Sequence, residues 1–234
     1  MQKSRSIFFL VIVFLTYASF SSRPRVSTKA EVRTLPNGHY QFLVAGKPYI
    51  IKGVCYNPVE IGDSQDSDYW SDQRKPWLVD GKLMQKMGIN TVRFYQPGAD
   101  ADATRKVIHD LYSLYGIRTI MGHWLGFWNY PGPFYADRDF RDKVKADVVH
   151  MVREYKDEPG ILLWVLGNEN NYSFAGRVNA WSSEDIDALN DPLAKIEARA
   201  RIYYSFVNDI AKEIHAIDPL HPVALGNGEL KTLD

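Results

Sequence analysis

The sequence predicts an α/β fold of the (β/α)8 barrel type, on three observations. Apolar runs of strand length alternate with segments of helical periodicity, which favours a mainly parallel sheet. The run Ile161–Leu166 contains no polar residue, as is typical of a strand buried on both faces. The first strand is followed by Tyr56 and Asn57 rather than by the glycine-rich phosphate turn that introduces many open doubly wound sheets. The barrel is therefore preferred to the open sheet.

The predicted elements follow one another in the order that a barrel requires. Residues 40–55 are interpreted as two strands around a turn that contains Gly46 and Pro48. Beyond them, strands are expected at 89–95, 117–123, 161–166 and 222–225, and helices at 76–88, 100–116, 137–156 and 193–216. A complete barrel needs about 250 residues. We therefore expect residues 38–234 to supply the N-terminal part of a barrel, with about five of its eight units.

Composition indicates a globular domain with no nucleic-acid partner. Of the 234 residues, 45% are apolar and 24% are charged, and 28 basic residues balance 28 acidic ones. The many aromatic residues either fill a core or offer flat faces on which sugars stack. Cys55 is the single cysteine, so no intramolecular disulfide can form. Its apolar neighbours predict a small buried side chain.

The N-terminus has the features of a targeting segment. Lys3 and Arg5 precede the apolar stretch from Ile7 to Ala18, and small residues follow it. The stretch is short for a membrane span of about 20 residues, so a cleaved secretory signal is preferred to an N-terminal membrane anchor. Residues 1–25 are therefore excluded from the fold, and the rest is expected to be secreted, periplasmic or attached to the cell surface.

Polar residues follow every predicted strand of the parallel sheet. In a barrel the C-terminal ends of the strands meet at one face, where the active site lies. The residues at these ends are Tyr56 and Asn57, Arg93 and Tyr95, His123 and Trp124, Asn168 and Glu169, and Asn227 and Glu229. Glu169 follows six apolar residues and a glycine, so we expect its carboxyl group to be partly desolvated and suited to general-acid catalysis.

Three segments carry a resemblance to a known group of enzymes. The segment Asp157–Glu169, which ends in Gly-Asn-Glu, resembles the fourth-strand motif of the clan A glycoside hydrolases. It is most similar to the catalytic barrel of family-2 enzymes and to β-1,3-glucanosyltransferases. Gly53–Asn57 and Met87–Tyr95 resemble the first and second strands of the same barrels. The resemblance covers roughly residues 40–230.

The resemblance implies a retaining O-glycosyl hydrolase that acts on β-linked oligo- or polysaccharides without a cofactor. Glu169 would protonate the leaving oxygen and later deprotonate the incoming water or sugar hydroxyl. Asn168 would bind the 2-hydroxyl of the sugar, and Arg93 would orient the nucleophilic carboxylate. The other residues expected to bind substrate are Asn57, Tyr95, His123, Trp124 and Trp128, with Tyr130 as a further stacking face. For His123 and the three stacking residues, a purely structural role is nearly as well supported.

The sequence departs from the family pattern at the second carboxylate. The family places its nucleophile after the seventh strand, and these residues end just after the fifth. Glu229 is the single late candidate, and it follows the wrong strand. We expect the 234-residue chain on its own to be inactive and poorly soluble, because the edges of its parallel sheet would be exposed. A non-catalytic carbohydrate-binding protein and a β-glucan transglycosylase remain alternatives. A metal hydrolase is disfavoured because the six histidines form no His-x-x-x-His pair.

Overall fold

A computed structural model describes residues 29–64 and 67–229 of the chain. The predicted signal or anchor over residues 1–25 lies outside the described residues. Within the described ranges, no helix combines the length and the apolar character needed to cross a membrane.

A small antiparallel sheet precedes the main sheet. Its strands are β1 (Ala30–Thr34), β2 (Tyr40–Val44) and β3 (Lys47–Pro48). Strand β1 was not predicted from the sequence. The turn between β2 and β3 consists of Ala45 and Gly46, both with positive φ, which is the geometry of a two-residue hairpin.

The main sheet has five parallel strands. They are β4 (Gly53–Cys55), β5 (Thr91–Phe94), β6 (Arg118–His123), β7 (Ile161–Leu166) and β8 (Val223–Leu225). Neighbouring strands in the sheet are also neighbours along the chain, so the order of these strands shows no reversal. The second of the two strands predicted within residues 40–55 is wrong as a single element. Its C-terminal part is β4, whereas the preceding β3 ends at Pro48, which has no N–H to extend the ladder.

The four long helices lie close to their predicted positions. They are α1 (Pro76–Lys86), α2 (Ala101–Tyr115), α3 (Arg138–Tyr155) and α5 (Pro192–Ile217), with the short α4 (Glu184–Asp187) between the last two. Aspartate side chains cap the N-termini of three of them, at Asp100, Asp137 and Asp191. A 3-10 helix, Asn170–Ser173, follows β7 and was not predicted.

The two faces of the parallel sheet have different neighbours. Phe94, Met121 and Trp164 lie in the large core that includes residues of the helices. On the other face, Leu162 and Ile120 pack with Ala30 and Val44 of the small antiparallel sheet. The small sheet thus covers this second face near the N-terminal end of β7.

Cys55 lies on the second face, opposite Arg93 in the pairing of β4 with β5. Its side chain is exposed, so the prediction of a buried cysteine is wrong. The reason is its position on β4, which is an edge strand of the sheet among the described residues.

Candidate active site

The residues Gly167, Asn168 and Glu169 form a tight turn at the C-terminal end of β7. Gly167 and Glu169 both adopt left-handed backbone conformations, with φ of 69° and 57°. A side chain at Gly167 would place its Cβ 2.5 Å from the Tyr203 hydroxyl, so this position requires glycine. Glu169 has no such freedom, and its conformation costs roughly 1–2 kcal/mol. Backbone strain of this kind concentrates at functional sites.

Hydrogen bonds from both sides hold the strained turn in place. The backbone N–H of Glu169 donates to the carbonyl of Gly226 at 2.7 Å, and its own carbonyl accepts the N–H of Tyr172 at 3.0 Å. Gly226 is itself required at this contact, because a Cβ there would lie 2.5 Å from the carbonyl oxygen of Gly167. The end of β8 is therefore fitted against the turn that carries Glu169.

Asn170 is a positioning residue that the sequence reasoning missed. Its side chain is fully buried. The Oδ1 atom accepts the N–H of Asn168 at 2.8 Å, and Nδ2 donates to the carbonyl of Trp124 at 3.1 Å and to the hydroxyl of Tyr135 at 2.8 Å. These bonds tie the Glu169 turn to the loop that follows β6. The available signal was a second polar residue directly after the Asn-Glu pair.

Asn171 fixes the turn to the segment that follows β8. Its Nδ2 donates to the carbonyl of Glu229 at 2.9 Å, and its Oδ1 accepts the N–H of Gly228 at 3.0 Å. The carboxylate of Glu229 lies 3.6 Å from Arg177. The structure therefore gives Glu229 a partner other than Arg93.

Arg93 reaches across the second face of the sheet to the turn at the end of β7. Its Nη2 donates to Oδ1 of Asn168 at 3.0 Å. Its guanidinium lies 5.0 Å from the ring centre of Tyr95, which is within the range of a cation–π contact. Its Nε is buried without a hydrogen-bond partner among the described residues. No carboxylate in the described ranges forms an ion pair with this guanidinium.

Tyr95 links Arg93 to an aromatic pair. Its ring is stacked on Trp124 with centres 5.0 Å apart and planes 8° apart. A hydrogen bond with Cys55 and burial raise the pKa of the Tyr95 hydroxyl, and the Glu169 carboxylate raises it further, whereas Arg93 lowers it. Electrostatic coupling therefore joins Tyr95 to both Arg93 and Glu169. We call Arg93, Tyr95, Asn168, Glu169 and Trp124 the Glu169 cluster.

The Glu169 side chain itself is exposed. The sequence predicted a partly desolvated carboxyl group at Glu169, and the exposure of this side chain contradicts that prediction. Leu166, the last residue of β7, is fully buried, but the left-handed turn that follows carries Glu169 away from that core.

His123 faces the helix side of the sheet rather than the Glu169 cluster. In the strand pairing it lies opposite Leu166, which belongs to the core on the helix side. Its Nδ1 accepts the N–H of Leu125 at 3.0 Å, and burial lowers the pKa of the imidazole to about 4. The ring is therefore neutral near pH 7, with its proton on Nε2. The structure therefore places His123 on the opposite face of the sheet from Arg93, although it shares a small cavity with Trp124 and Trp128.

The remaining predicted residues lie around the cluster. Asn57 is exposed just past β4. Trp128 is 61% exposed and meets Trp124 edge to face, with ring centres 6.3 Å apart. Tyr130 is almost fully exposed. Tyr56 is buried and donates its hydroxyl to Asp80 at 2.8 Å. Across residues 29–64 and 67–229, no group of three or more His, Cys, Asp or Glu side chains is arranged to share a metal ion.

The arrangement of strands and helices matches that of solved glycosidases. The β-glucuronidase of Parabacteroides merdae matches 84% of this chain with a TM-score of 0.53 and 16% identity. The β-D-glucuronidase of Dictyoglomus thermophilum matches 86% with a TM-score of 0.53 and 16% identity. β-Glucuronidase 3 of Bacteroides uniformis matches 84% with a TM-score of 0.54 and 15% identity. The chain has a glycosidase-like fold.

The glycosidase-like fold extends over only part of these enzymes. The matched region is 20% of the Parabacteroides and Bacteroides chains and 29% of the Dictyoglomus chain. At these identities the likeness shows the fold alone. No family model matches the sequence, and no curated protein matches it.

Proposed function

We propose that the chain is part of a retaining glycoside hydrolase of the clan A type, in which Glu169 is the general acid/base. The observation that carries the proposal is the strained turn at Glu169, which Asn170 and Gly226 hold beside Arg93 and Asn168. A strained backbone at an exposed carboxylate supports a functional role for Glu169, because such strain concentrates at functional sites. The glycosidase-like fold and the Gly-Asn-Glu motif support glycoside cleavage as the reaction that this carboxylate would serve.

The proposed roles combine the family resemblance with the geometry of the Glu169 cluster. Glu169 protonates the leaving glycosidic oxygen and then takes a proton from the incoming water or sugar hydroxyl. Asn168, with its Oδ1 engaged by Arg93, presents its Nδ2 as a donor to the sugar 2-hydroxyl. The stacked pair of Tyr95 and Trp124 forms an aromatic wall of the site. We also propose that the five parallel strands belong to a (β/α) barrel, because their order along the sheet shows no reversal.

The reaction requires a second carboxylate about 5–5.5 Å from the first. We propose that it binds Arg93, whose Nε has no partner among the described residues, and that it comes from outside these residues. An ion pair there would keep that carboxylate ionised and oriented for attack. Export of the protein, directed by residues 1–25, is part of the same proposal.

The test compares substrates whose leaving groups differ in their need for a proton. The complete product of the native gene is assayed with alkyl β-glycosides and with 2,4-dinitrophenyl β-glycosides. We expect Glu169→Gln to lower the rate on alkyl glycosides by about 10²–10⁴-fold. The initial release of dinitrophenol should change far less, because that leaving group departs without protonation. Equal losses on both substrates, or no loss on either, would contradict an acid/base role for Glu169.

One observation favours a non-catalytic carbohydrate-binding protein as a second candidate. Within the described ranges, the Arg93 guanidinium bonds to Asn168 rather than to a carboxylate. If the protein binds glycans without cleaving them, the unsubstituted protein leaves both glycosides intact in this assay but still binds glycans at the Glu169 cluster.

A further inference from the structure

A groove lies on the helix side of the sheet, beside the Glu169 cluster, and Trp124 belongs to both. One cavity of about 400 Å³ lies between the loop that follows β5 and helix α3, and Gln96, His123, Asp147 and His150 are among its lining residues. A smaller cavity of about 180 Å³ shares Gln96, His123 and Asp147 with it and extends to Trp128. Because they share three lining residues, the two cavities are adjacent, and we call them together the outer groove.

The wall of the outer groove combines an aromatic face with mixed hydrogen-bonding groups. Trp128 at one end is 61% exposed, so its ring is open to a ligand. The Nδ1 of His123 is already occupied by the Leu125 N–H, which leaves the Nε2 proton as a donor. Gln96 adds both a donor and an acceptor, and Asp147 adds acceptors.

The charges around the groove are compensated. Asp147 is paired with Lys143 at 2.9 Å. Glu154, which lines the larger cavity, is paired with Arg105 of α2. Neither carboxylate therefore requires a cationic ligand, and Lys143, the lysine that lines the groove, is already paired with Asp147. The wall suits a neutral ligand with hydroxyl groups and an apolar face.

The length of the groove indicates more than one sugar ring. Lys143 and Glu154 line its two parts and are eleven residues apart on α3. At the helical rise this separation is about 16 Å. The larger cavity alone lies within the range of roughly 300–1,000 Å³ that is usual for small-molecule sites.

We propose that the outer groove is a second carbohydrate site, which binds a neutral oligosaccharide through stacking on Trp128 and hydrogen bonds to His123, Gln96 and Asp147. The site does not depend on Glu169 and goes beyond the proposed hydrolysis. It would hold a glycan on the protein beside the Glu169 cluster, with Trp124 between the two, since its ring contacts Tyr95 on one side and Trp128 on the other.

The experiment measures binding by calorimetry to the full chain that carries Glu169→Gln, so that no substrate is consumed. The probes are cellohexaose, laminarihexaose and mannohexaose, with a glucuronic acid hexamer as the charged comparison. We expect at least one neutral hexasaccharide to bind, and Trp128→Ala and Asp147→Asn each to weaken it about tenfold, the effect of losing one contact of about 1.4 kcal/mol. Tyr40→Ala and Asp142→Asn are the matched controls, because both side chains are exposed and neither lines the groove.

Three results would overturn the proposal. They are no saturable binding of any neutral hexasaccharide at millimolar concentration, binding that Trp128→Ala and Asp147→Asn leave unchanged, and binding of the charged hexamer alone. Thermal unfolding of each variant shows whether a loss of binding reflects a loss of fold. The proposed hydrolysis is tested separately by the rates of glycoside cleavage. If Glu169→Gln leaves those rates unchanged, the proposed hydrolysis fails, but the oligosaccharide binding measured by calorimetry is not affected.

Discussion

Arg93 and Asn168 are 75 residues apart in the chain, and a hydrogen bond of 3.0 Å joins them across the second face of the parallel sheet. The bond fixes the Asn168 side chain with its oxygen toward the guanidinium, so its amide nitrogen is available as a donor. It also connects the end of β5 to the turn that carries Glu169.

Replacement of Glu169 by glycine should stabilise the protein. Glycine adopts the left-handed conformation without the cost of roughly 1–2 kcal/mol that Glu169 bears. Because the flexible unfolded chain offsets part of this gain, we expect a net rise of about 1 kcal/mol in the free energy of unfolding. Urea denaturation measures it. Glu169→Gln is the matched control, because it removes the charge and keeps the strain. A stability of Glu169→Gly equal to or below that of Glu169→Gln would show that the turn is not strained.

Truncation of Asn170 should destabilise the turn strongly. Asn170→Ala removes three hydrogen bonds and leaves the Asn168 N–H and the buried Tyr135 hydroxyl without partners. We expect a loss of about 2–4 kcal/mol in the free energy of unfolding. Chemical denaturation provides the measurement. The exposed helical residue Asn208 offers the comparison, since Asn208→Ala should change stability by no more than about 0.5 kcal/mol. Similar losses in the free energy of unfolding for the two substitutions would contradict a positioning role for Asn170.

Cys55 should react readily with a maleimide in the folded protein. Its thiol is exposed, and because it is the single cysteine of the chain, one mass increment reports its modification. Since Cys55 lies beside Tyr95 and Arg93, a sugar bound at the Glu169 cluster should slow the reaction. Mass spectrometry with and without a glycoside inhibitor follows the rate. A thiol that reacts only in denaturant would contradict the exposed position of β4.

His123 should make the protein less stable as the pH falls from about 6.5 to about 4. Burial lowers the pKa of His123 to about 4 in the folded state, whereas an unfolded histidine titrates near 6.5. The unfolded chain therefore binds the proton first, and stability falls with pH across that window by about 3 kcal/mol at most. Denaturation curves at several pH values should lose this slope in His123→Gln and keep it in His109→Gln, where the side chain is 63% exposed. An unchanged slope in His123→Gln would assign the acid sensitivity to other groups.

The buried pair of Asp218 and His221 should reduce the free energy of unfolding at a lower pH than His123 does. Burial tends to raise the pKa of Asp218, but bonds to His221 at 2.8 Å and to Trp164 at 2.7 Å outweigh it, and the pKa is lowered. Its contribution to stability is therefore present above the pKa of an unfolded aspartate and is lost below it. This window lies below the one assigned to His123.

The long elements could be predicted from the sequence because each carries a clear period. The periodic apolar residues of α2, α3 and α5 gave their bounds within a few residues, and the unbroken apolar run gave β7. Strand β1 could not be found in this way, because most of its residues are exposed. The break between β3 and β4 depends on pairing with two different sheets, which a local pattern does not contain.

The candidate site was predictable in its members and less so in its orientation. Arg93, Tyr95, Asn168 and Glu169 were placed together because parallel strands end at one edge of the sheet. His123 was expected to line the same pocket, but it lies on the helix side of the sheet, and strand ends do not reveal which side a residue faces. The register shift between Thr119 and Ile120 adds one residue, Leu162, to β7 and alters the alternation along that strand. The role of Asn170 depends on partners at Trp124 and Tyr135 that only the tertiary structure brings near.

The conformation of Glu169 has an evolutionary consequence. A single nucleotide change converts either glutamate codon into a glycine codon, and glycine would relieve the strain of the turn. In a lineage that no longer used this carboxylate, drift would therefore tend to replace it, because the substitution is both accessible and stabilising. Orthologues that have lost the activity should carry glycine at this position. Retention of glutamate would then serve as a genetic marker of continued selection on the turn.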